Sequence, residues 1–302
     1  KGEALPFRKV VERQIEAGSN TLLEGETVLA ACDGHFVVQA DGFWVNKVLE
    51  VPGDVDYSTG NIDFPGDVII HGEVKQGFTV RSGGGIYCEK VIDVSAVSCR
   101  NDLVTRQGLI GRKNGVVRAG GSVTAKFIEN CFVEAKGQVR IQTGCLNSLV
   151  HSLDRVETGP KGVIVGGRIY AQNGISTSQL GTAAGPKTEI FCGINVFVQQ
   201  KLLWIRDKNI ALATRLKEVQ SRLASDPKRS PKLAELQDRL RSAIHKLNEA
   251  AKKLINELDK NDRAEVRVTG TVFPGAFIEI CHVPFIVGER LAGVRFSLDK
   301  KK

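Results

Sequence analysis

The chain has 302 residues, 42% of them hydrophobic, and carries a formal net charge of +8. This length allows a large buried core and more than one domain. Because the chain shows neither an apolar run of about 18 residues nor a charged and then apolar leader, we expect no membrane span and no secretory signal, and a cytoplasmic location.

Two strand-like stretches occur in the first part of the chain, Phe36-Val37-Val38 and Trp44-Val45. Aromatic and β-branched residues favour strands. The chain then continues into a repeat, and the open end of a stack of repeats must be covered. Residues 1–52 are therefore expected to form an N-terminal β cap.

Short valine-rich segments recur about every 16 to 22 residues from residue 53 to about residue 193, between corners rich in Gly and Asn. Apolar and polar side chains alternate within each segment, which indicates strands. Aligned on one another, the segments predict two columns of inward side chains. The first is Val68/Ile70, Ile86/Cys88, Leu103/Thr105, Val123/Ala125, Val139/Ile141 and Val163/Val165, and the second is Phe78/Val80, Val97/Cys99, Val117/Ala119 and Val133/Ala135.

One such segment cannot bury its apolar side, whereas stacking equivalent strands about 4.8 Å apart closes a continuous core. The segments are too short for crossover helices, which argues against a doubly wound sheet, and too irregular for a left-handed hexapeptide solenoid. The sequence predicts a mainly β fold, with a right-handed parallel β-helix over residues 53–195. Positive φ is expected at its corners, among them residues 83–85, 120–121 and 166–167.

The composition changes over residues 196–263 to Leu, Ala, Lys, Arg, Glu and Gln, which favour helix. Apolar residues there recur in alternating steps of three and four, the pattern of a coiled-coil seam. Pro231 suits the first position of a second helix, with Ser230 as its N-cap. We predict an antiparallel coiled-coil hairpin inserted into the solenoid. Its seam is Leu202, Ile205, Asn209, Leu212, Leu216, Val219 and Leu223 in one arm, and Leu233, Leu236, Leu240, Ala243, Leu247, Ala250 and Leu254 in the other.

Residues 199–263 contain 16 Lys and Arg against 9 Asp and Glu, so +7 of the net charge lies on the hairpin. Such a charge attracts nucleic acid or an anionic surface. Interleaved acidic residues, and the lack of an aromatic platform beyond Trp204, favour a solvated coiled-coil surface instead. The candidate partner-binding residues on the hairpin are Trp204, Lys228, Arg229, Lys232, Lys252 and Lys253.

After the hairpin, Val266, Val268 and Val272 alternate with polar residues, and Phe277 and Ile278 follow a Pro-Gly pair. This pattern again indicates strands. Residues 264–302 are predicted to return to the solenoid, either as another turn or as a cap.

The sequence nominates no catalytic residue, cofactor site or metal site. Asp54, Asp56, Asp63 and Asp67 are close together, but turn residues surround them and Asx side chains form turns. A cation site, or a carbohydrate-active β-helix enzyme that uses Asp56 and Asp63, is the alternative for this group. The seven cysteines and five histidines lack the spacing of metal ligands and are expected to be structural.

Two strings, GDVDYSTGNIDFPGDVIIHGEV at residues 53–74 and AGGSVTAKFIEN at residues 119–130, closely resemble the bacterial flagellar assembly protein A family. The order of LEGETVLAACDGH, GLIG, VGGRIYA and TGTVFPG matches this family as well. The resemblance implies a right-handed β-solenoid interrupted by a coiled-coil hairpin, and a role in placing or assembling flagella. It also suggests kinship of architecture with the solenoid of the septum-site inhibitor of cell division, a dimerising module.

The leading hypothesis is a non-enzymatic scaffold. A solenoid face would serve docking or self-association, and the hairpin would reach a protein partner of the flagellar or cell-pole machinery. The second hypothesis is a nucleic-acid or anionic-surface binder that uses the basic hairpin. The third is the carbohydrate-active enzyme.

Overall fold

The structure is a computed structural model, and it describes residues 16–39, 42–225, 231–258 and 261–299. A long coil of parallel strands forms the body, a small β region precedes it, and two helices interrupt it. The prediction of a mainly β solenoid is confirmed, and the coil makes about 8 turns. The right-handed sense of the coil and the supercoiling of its helices stay predictions.

The N-terminal strands form two small sheets that are separate from the sheet of the body. They are β1 (Glu16–Ala17), β2 (Thr21–Glu24), β3 (Thr27–Ala30), β4 (His35–Gln39) and β5 (Gly42–Asn46). β2 and β3 pair antiparallel, while β5 pairs antiparallel with β4 and parallel with β1. The stretches expected to be strands around Val37 and Trp44 form β4 and β5.

The strands of the body pair in parallel with the strands of the turns before and after them. They are β6 (Val48–Val51), β7 (Ile62–Phe64), β8 (Asp67–Ile70), β9 (Thr79–Ser82), β10 (Ile86–Cys88), β11 (Ile92–Asp93), β12 (Ala96–Cys99), β13 (Leu103–Thr105), β14 (Gly108–Ala119), β15 (Val123–Ala135), β16 (Val139–Ser152), β17 (Arg155–Thr158), β18 (Val163–Ala171), β19 (Gly174–Leu180) and β20 (Thr188–Cys192). β14, β15 and β16 bend through a corner without a break, so they are longer than the short strands that the pattern predicts.

Three columns of stacked side chains fill the coil, one for each of its faces. The first runs from Leu49 through Val68, Ile86, Leu103, Val123, Val139, Val156 and Ile175 to Val266, the second from Ile62 through Val80, Val97, Val117, Val133, Val150, Ile169 and Ile190 to Ile278, and the third from Val55 through Val74, Ile92, Leu109, Ile128, Cys145, Ile164 and Leu180 to Val272. Nearly all of them are buried and belong to one continuous core. The third column is absent from the sequence-based prediction.

The first predicted column is correct from Val68 to Ile141 and wrong at its last member. Val156, and not Val163, continues the stack above Val139. Val163 lies on another face, where it pairs with Gly144. The error arose because β17 contains a single aliphatic residue, so its sequence lacks the alternation that marks the other strands.

The second predicted column is shifted by two residues at its first member. Val80 pairs with Val97, and Ser82 pairs with Cys99, so Phe78 is not one of the two inward positions. A serine can face the core at this place because its hydroxyl donates a hydrogen bond to the carbonyl oxygen of Gly66 at 2.6 Å. A buried polar group that is paired in this way loses little on burial.

Most corner glycines relieve crowding between turns. Positive φ occurs at Gly166 and Gly167, as predicted, but not at residues 83–85 or at Gly120. A Cβ atom on Gly120 would lie 2.0 Å from the backbone oxygen of Arg100 in the preceding turn. The expectation of positive φ was therefore wrong at these corners. At Gly83 and Gly120 glycine is required instead because a Cβ atom would meet the backbone of the preceding turn.

The two helices follow β20 and are α1 (Val196–Ser225) and α2 (Pro231–Ile255). The chain then continues as β21 (Glu265–Val272) and β22 (Phe277–Ile280), which pair in parallel with β19 and β20. The last strands, β23 (Val283–Ile286) and β24 (Leu291–Ser297), pair antiparallel with β22 and β21. The parallel stack thus ends in two reversed strands.

Replacing Gly120 with Ala should destabilise the solenoid, because the new methyl group would meet the backbone of the preceding turn. We expect a loss of about 1–3 kcal/mol in the free energy of unfolding, measured by urea denaturation followed by circular dichroism. Gly53→Ala is the control, since a Cβ atom at Gly53 has no atom within 4 Å. If both variants were as stable as the wild type, crowding would not explain the corner glycines.

Candidate interaction site on the helical hairpin

The predicted seam residues form the contact between α1 and α2. Ile205, Val219 and Leu240 are buried, and the other seam residues are half-buried. The side-chain nitrogen Nδ2 of Asn209 donates a hydrogen bond to Oδ1 of Asn248 at 2.8 Å. This bond joins the middle of α1 to the C-terminal half of α2, so the helices are antiparallel. Asn209, a polar residue of the predicted seam, thus makes a specific contact between the two helices.

Asparagines also anchor the base of the hairpin. Oδ1 of Asn195 accepts hydrogen bonds from two backbone amides in the first turn of α1, each at 3.2 Å, and so caps the helix. The backbone nitrogen of Asn195 donates to the carbonyl oxygen of Leu258 at 3.2 Å. Nδ2 of Asn261 donates to Oδ1 of Asn173 at 2.8 Å. The chain therefore leaves the solenoid and re-enters it at neighbouring points.

A column of rings on the outer side of the second face meets the first turn of α1. This aromatic ladder consists of Phe132, His151, Tyr170, Phe191 and Phe277, with successive ring centroids 4.4 to 5.6 Å apart. The ring of Phe197 in α1 lies 6.2 Å from that of His151. His151 is only 3% exposed as a result. The base of the hairpin is thus packed on the solenoid through the ladder.

His151 is held as a neutral imidazole. Burial among rings lowers its pKa to about 4, because no neighbouring charge offsets the cost of removing the protonated form from water. Its Nδ1 atom has no hydrogen-bond partner within the described part of the chain. Protonation would therefore work against the packing of Phe132, Tyr170 and Phe197 around it.

Beyond its first turn the hairpin projects from the solenoid. Each helix makes its main contacts with the other. The large apolar side chains of α1 that lie off the seam remain open to solvent, with Leu203, Trp204 and Ile210 exposed by 44%, 53% and 60%. Neither helix is long and apolar enough to cross a membrane, nor is any other helix in the described ranges. The outer surfaces of the arm are therefore available for contact.

The structure shows Trp204 and part of the predicted basic site. The ammonium group of Lys208 lies 5.9 Å from the centroid of the Trp204 ring, within the range of a cation–π contact. Lys228 and Arg229 lie outside the described residues. Trp204 is therefore a partly exposed ring beside a cation, and the sequence pattern did not indicate its partner Lys208.

The remaining predicted residues, Lys232, Lys252 and Lys253, lie on α2. All three are exposed. The ammonium nitrogen of Lys252 is 2.8 Å from Oε1 of Glu249, and this contact raises the pKa of Lys252. Because consecutive residues of a helix point in different directions, Lys252 and Lys253 belong to different sides of the arm. The predicted set is thus not one patch.

Aspartates at the corners join successive turns of the solenoid. Oδ1 of Asp54 accepts a hydrogen bond from the backbone nitrogen of Glu73 at 2.8 Å, and Oδ1 of Asp67 accepts one from that of Gly85 at 2.6 Å. Asp102 bonds the nitrogen of Ser122 in the same way. The expectation of local Asx turns was wrong for Asp54 and Asp67, because each carboxylate pairs with an amide of the next turn.

Asp56 and Asp63, the other two aspartates of the acidic group, make different contacts. Asp56 forms the local turn that the sequence predicts, accepting hydrogen bonds from the backbone nitrogen and the hydroxyl of Ser58. Asp63 is exposed on β7, with Oδ2 at 4.0 Å from Nη1 of Arg81. Asp54, Asp56 and Asp67 therefore have hydrogen-bond partners that account for their positions at corners, whereas Asp63 is exposed.

Five of the cysteines occupy the core of the solenoid. Burial raises the thiol pKa to about 11 for Cys88 and to about 12 for Cys99, Cys131 and Cys145, which keeps these thiols neutral and unreactive. They behave as small apolar side chains, as expected. In the described ranges, no three His, Cys, Asp or Glu residues are placed to hold a metal ion.

The parallel coil, its reversed terminal strands and its anchored helical hairpin define the class of this molecule, a β-solenoid protein with an inserted helical arm. Comparison with family models gives a match to FapA, described as the Flagellar Assembly Protein A beta solenoid domain, over residues 47–302. This range includes both the coil and the hairpin. The chain belongs to the FapA family. No curated protein matches the chain, and no solved structure matches it.

The solenoid should lose stability as the pH falls from about 6.5 towards 4. In this window the unfolded chain binds a proton at His151 whereas the folded chain, with a pKa of about 4, does not. Thermal unfolding at pH 7.5 and pH 5 should show a larger decrease in melting temperature for the wild type than for His151→Phe, which keeps a ring in the ladder. His245→Gln, on the exposed surface of α2, is the control. Equal pH dependence in His151→Phe and the wild type would contradict the role of His151.

Proposed function

We propose that the chain is a non-enzymatic scaffold that acts in flagellar assembly or placement, with the solenoid as a rigid body and the hairpin as an arm that reaches a second protein. In this division residues 1–52 cap the body, residues 53–195 and 264–302 build it, and residues 196–263 form the arm. Membership of the FapA family supports a flagellar role. The partners we propose are proteins of the flagellar or cell-pole machinery in the cytoplasm.

The observation that carries this proposal is the contrast between the two ends of the hairpin. Its base is fixed by Asn195, Asn261 and the ring of Phe197 against the aromatic ladder. Its shaft exposes every side except the seam. A helix that served only the core of its own protein would bury its apolar surface on that core. An anchored and projecting pair of helices is better suited to contact with another molecule.

The body suits a scaffold because it resists bending. Each strand of a middle turn is hydrogen-bonded to the turns on both sides. Ion pairs link neighbouring turns on the outer surface, such as Arg118 with Glu134 at 2.7 Å. Self-association through one solenoid face is part of the same proposal. The competing hypothesis, binding of nucleic acid or an anionic surface, rests on the net charge of the hairpin and is an outcome of the tests below.

Removal of the arm tests the proposal directly. Because the backbones of Asn195 and Leu258 are hydrogen-bonded, a short glycine link can replace residues 196–258 without stretching the solenoid. We expect this variant to keep the β-type circular dichroism spectrum of the body. We also expect it to fail to restore flagella in a bacterium that lacks its own copy of the gene.

The control keeps the arm and changes its surface minimally. Thr214→Ala removes a hydroxyl that is exposed on α1 and bonds only its own helix backbone in the described structure. This variant should restore flagella as well as the wild type does, as counted by electron microscopy. Full restoration by the protein without the arm would overturn the proposed function of the hairpin.

A further inference from the structure

All eight g positions of the hairpin heptads are basic. Taking Leu202 and Leu233 as a positions, the residue before each a position is a g position, and the same places recur every seven residues. The g positions are Lys201, Lys208, Arg215 and Arg222 on α1, and Lys232, Arg239, Lys246 and Lys253 on α2. The e positions on the other flank of the seam are Arg206, Ala213 and Gln220 on α1, and Gln237, Ile244 and Ala251 on α2. The charge of the arm is therefore concentrated along one flank of the seam.

These two sets of cations, here called the basic rows, lie on the same side of the arm. Reversing one of two paired helices brings its g positions opposite the g positions of the other. The Asn209–Asn248 bond sets the register, so each cation of α1 lies within about one helical turn of a cation of α2. Successive cations of a row are about 10.5 Å apart along the axis. The rows thus run parallel to each other along the same flank of the seam, one row on each helix.

This arrangement does not help the free protein, because like charges across a seam repel one another. Arg239 is paired with Glu235 of its own helix. In the part of the chain that the structure describes, no carboxylate lies within 4.0 Å of Lys201, Lys208, Arg215, Arg222, Lys246 or Lys253. Anions at a matching spacing would relieve this repulsion.

We propose that the basic rows dock an acidic amphipathic helix of a partner protein, which packs as a third helix along the g flank. Such a helix would carry Asp or Glu at seven-residue intervals on both sides of an apolar stripe. Between the rows lie Ala243 and Ala250, half-buried d positions of α2. Their side chains are short, so the apolar stripe of the partner helix can pack close to the hairpin. This inference rests on the proposed function of the hairpin as an arm, and names the chemistry of its partner.

Charge and shape favour this occupant over others. A second copy of the chain would present the same rows, and its cations would be repelled. The phosphates of a nucleic-acid duplex spiral around their axis and match a straight row over a short length only, and Trp204 is a single ring where single-stranded nucleic acid needs several. A membrane surface requires several large apolar side chains among the cations, whereas Trp204 is accompanied on that side by the small residues Ala211, Ala243 and Ala250.

The test uses the full chain and a synthetic helix of about four heptads, with Leu at a and d positions and Glu at e and g positions. Binding is measured by fluorescence anisotropy. The row variant carries Lys201→Gln, Lys208→Gln, Arg215→Gln and Arg222→Gln. The matched control carries Arg206→Gln, Lys217→Gln, Arg241→Gln and Lys252→Gln, which removes the same charge from outside the rows. Gln keeps the helix propensity in both variants.

We expect the row variant to bind the peptide about tenfold more weakly, the combined effect of four exposed ion pairs. The matched control should bind within about twofold of the wild type. Replacing Glu with Gln in the peptide should weaken binding by a similar factor. Equal weakening in both protein variants would overturn the inference. So would tighter binding of a DNA duplex, or of phosphatidylglycerol vesicles, than of the acidic peptide.

Restoration of flagella separates this inference from the proposed function. If the row variant fails to restore flagella and the matched control succeeds, both proposals are supported. If both variants succeed while the protein without the arm fails, the arm is required but the basic rows are not its docking site, and the inference is overturned. If the protein without the arm succeeds, the proposed function itself is overturned.

Discussion

Backbone hydrogen bonding between each turn and the turn before it is the constraint on which the rest of this molecule depends. Because the turns pair in register, an inward side chain must stack on inward side chains above and below it, and only small or apolar residues satisfy that requirement along the core columns. The same pairing brings corners together, so that Gly120 cannot carry a side chain. Corner aspartates such as Asp67 and Asp102 complete the pairing where a backbone oxygen does not reach.

Hydrogen bonding between successive turns also limits where the coil can accept an insertion. An insertion within a turn must leave and return at points that are already close, or the turns on either side would lose their register. The hairpin meets this condition because Asn195 and Leu258 are joined by a backbone hydrogen bond at its base. The body can therefore stay rigid while the arm presents a surface of its own, and in this chain that surface has one strongly basic flank.

The sequence predicts those parts of the fold in which the spacing of apolar residues along a short segment indicates which side chains face the core or the other helix. Alternation within a strand revealed the column that contains Val68 and Val123, and heptad spacing revealed the seam around Leu240. The third column was not predicted at its start, where Val55 and Val74 lie at isolated bridges between irregular segments, and further along Val163 was aligned in place of its inward neighbour Ile164. The burial of His151 could not be predicted either, since the rings around it come from separate turns and from α1.

The basic rows differ from these cases, because all the information needed to find them is present in the sequence. The total charge of the arm, +7, does not show where the cations lie on the two helices. Assigning each cation to a heptad position separates the g flank from the e flank and shows that the total is unevenly placed. Position also distinguishes Lys252 from Lys253, because the side chain of Lys252 lies off the rows and pairs with Glu249.

The reversed strands at the end of the coil determine how far the stack can extend. A parallel coil exposes the unpaired amides and carbonyls of its last turn, which is the kind of edge on which fibrils grow. Here β22 turns back through Cys281 and His282, both with positive φ, the geometry of a tight hairpin, and β24 covers β21 in the same antiparallel sense. An incoming coil would meet strands of the wrong polarity. The reversed strands thus disfavour continuation of the parallel stack at this end of the rod.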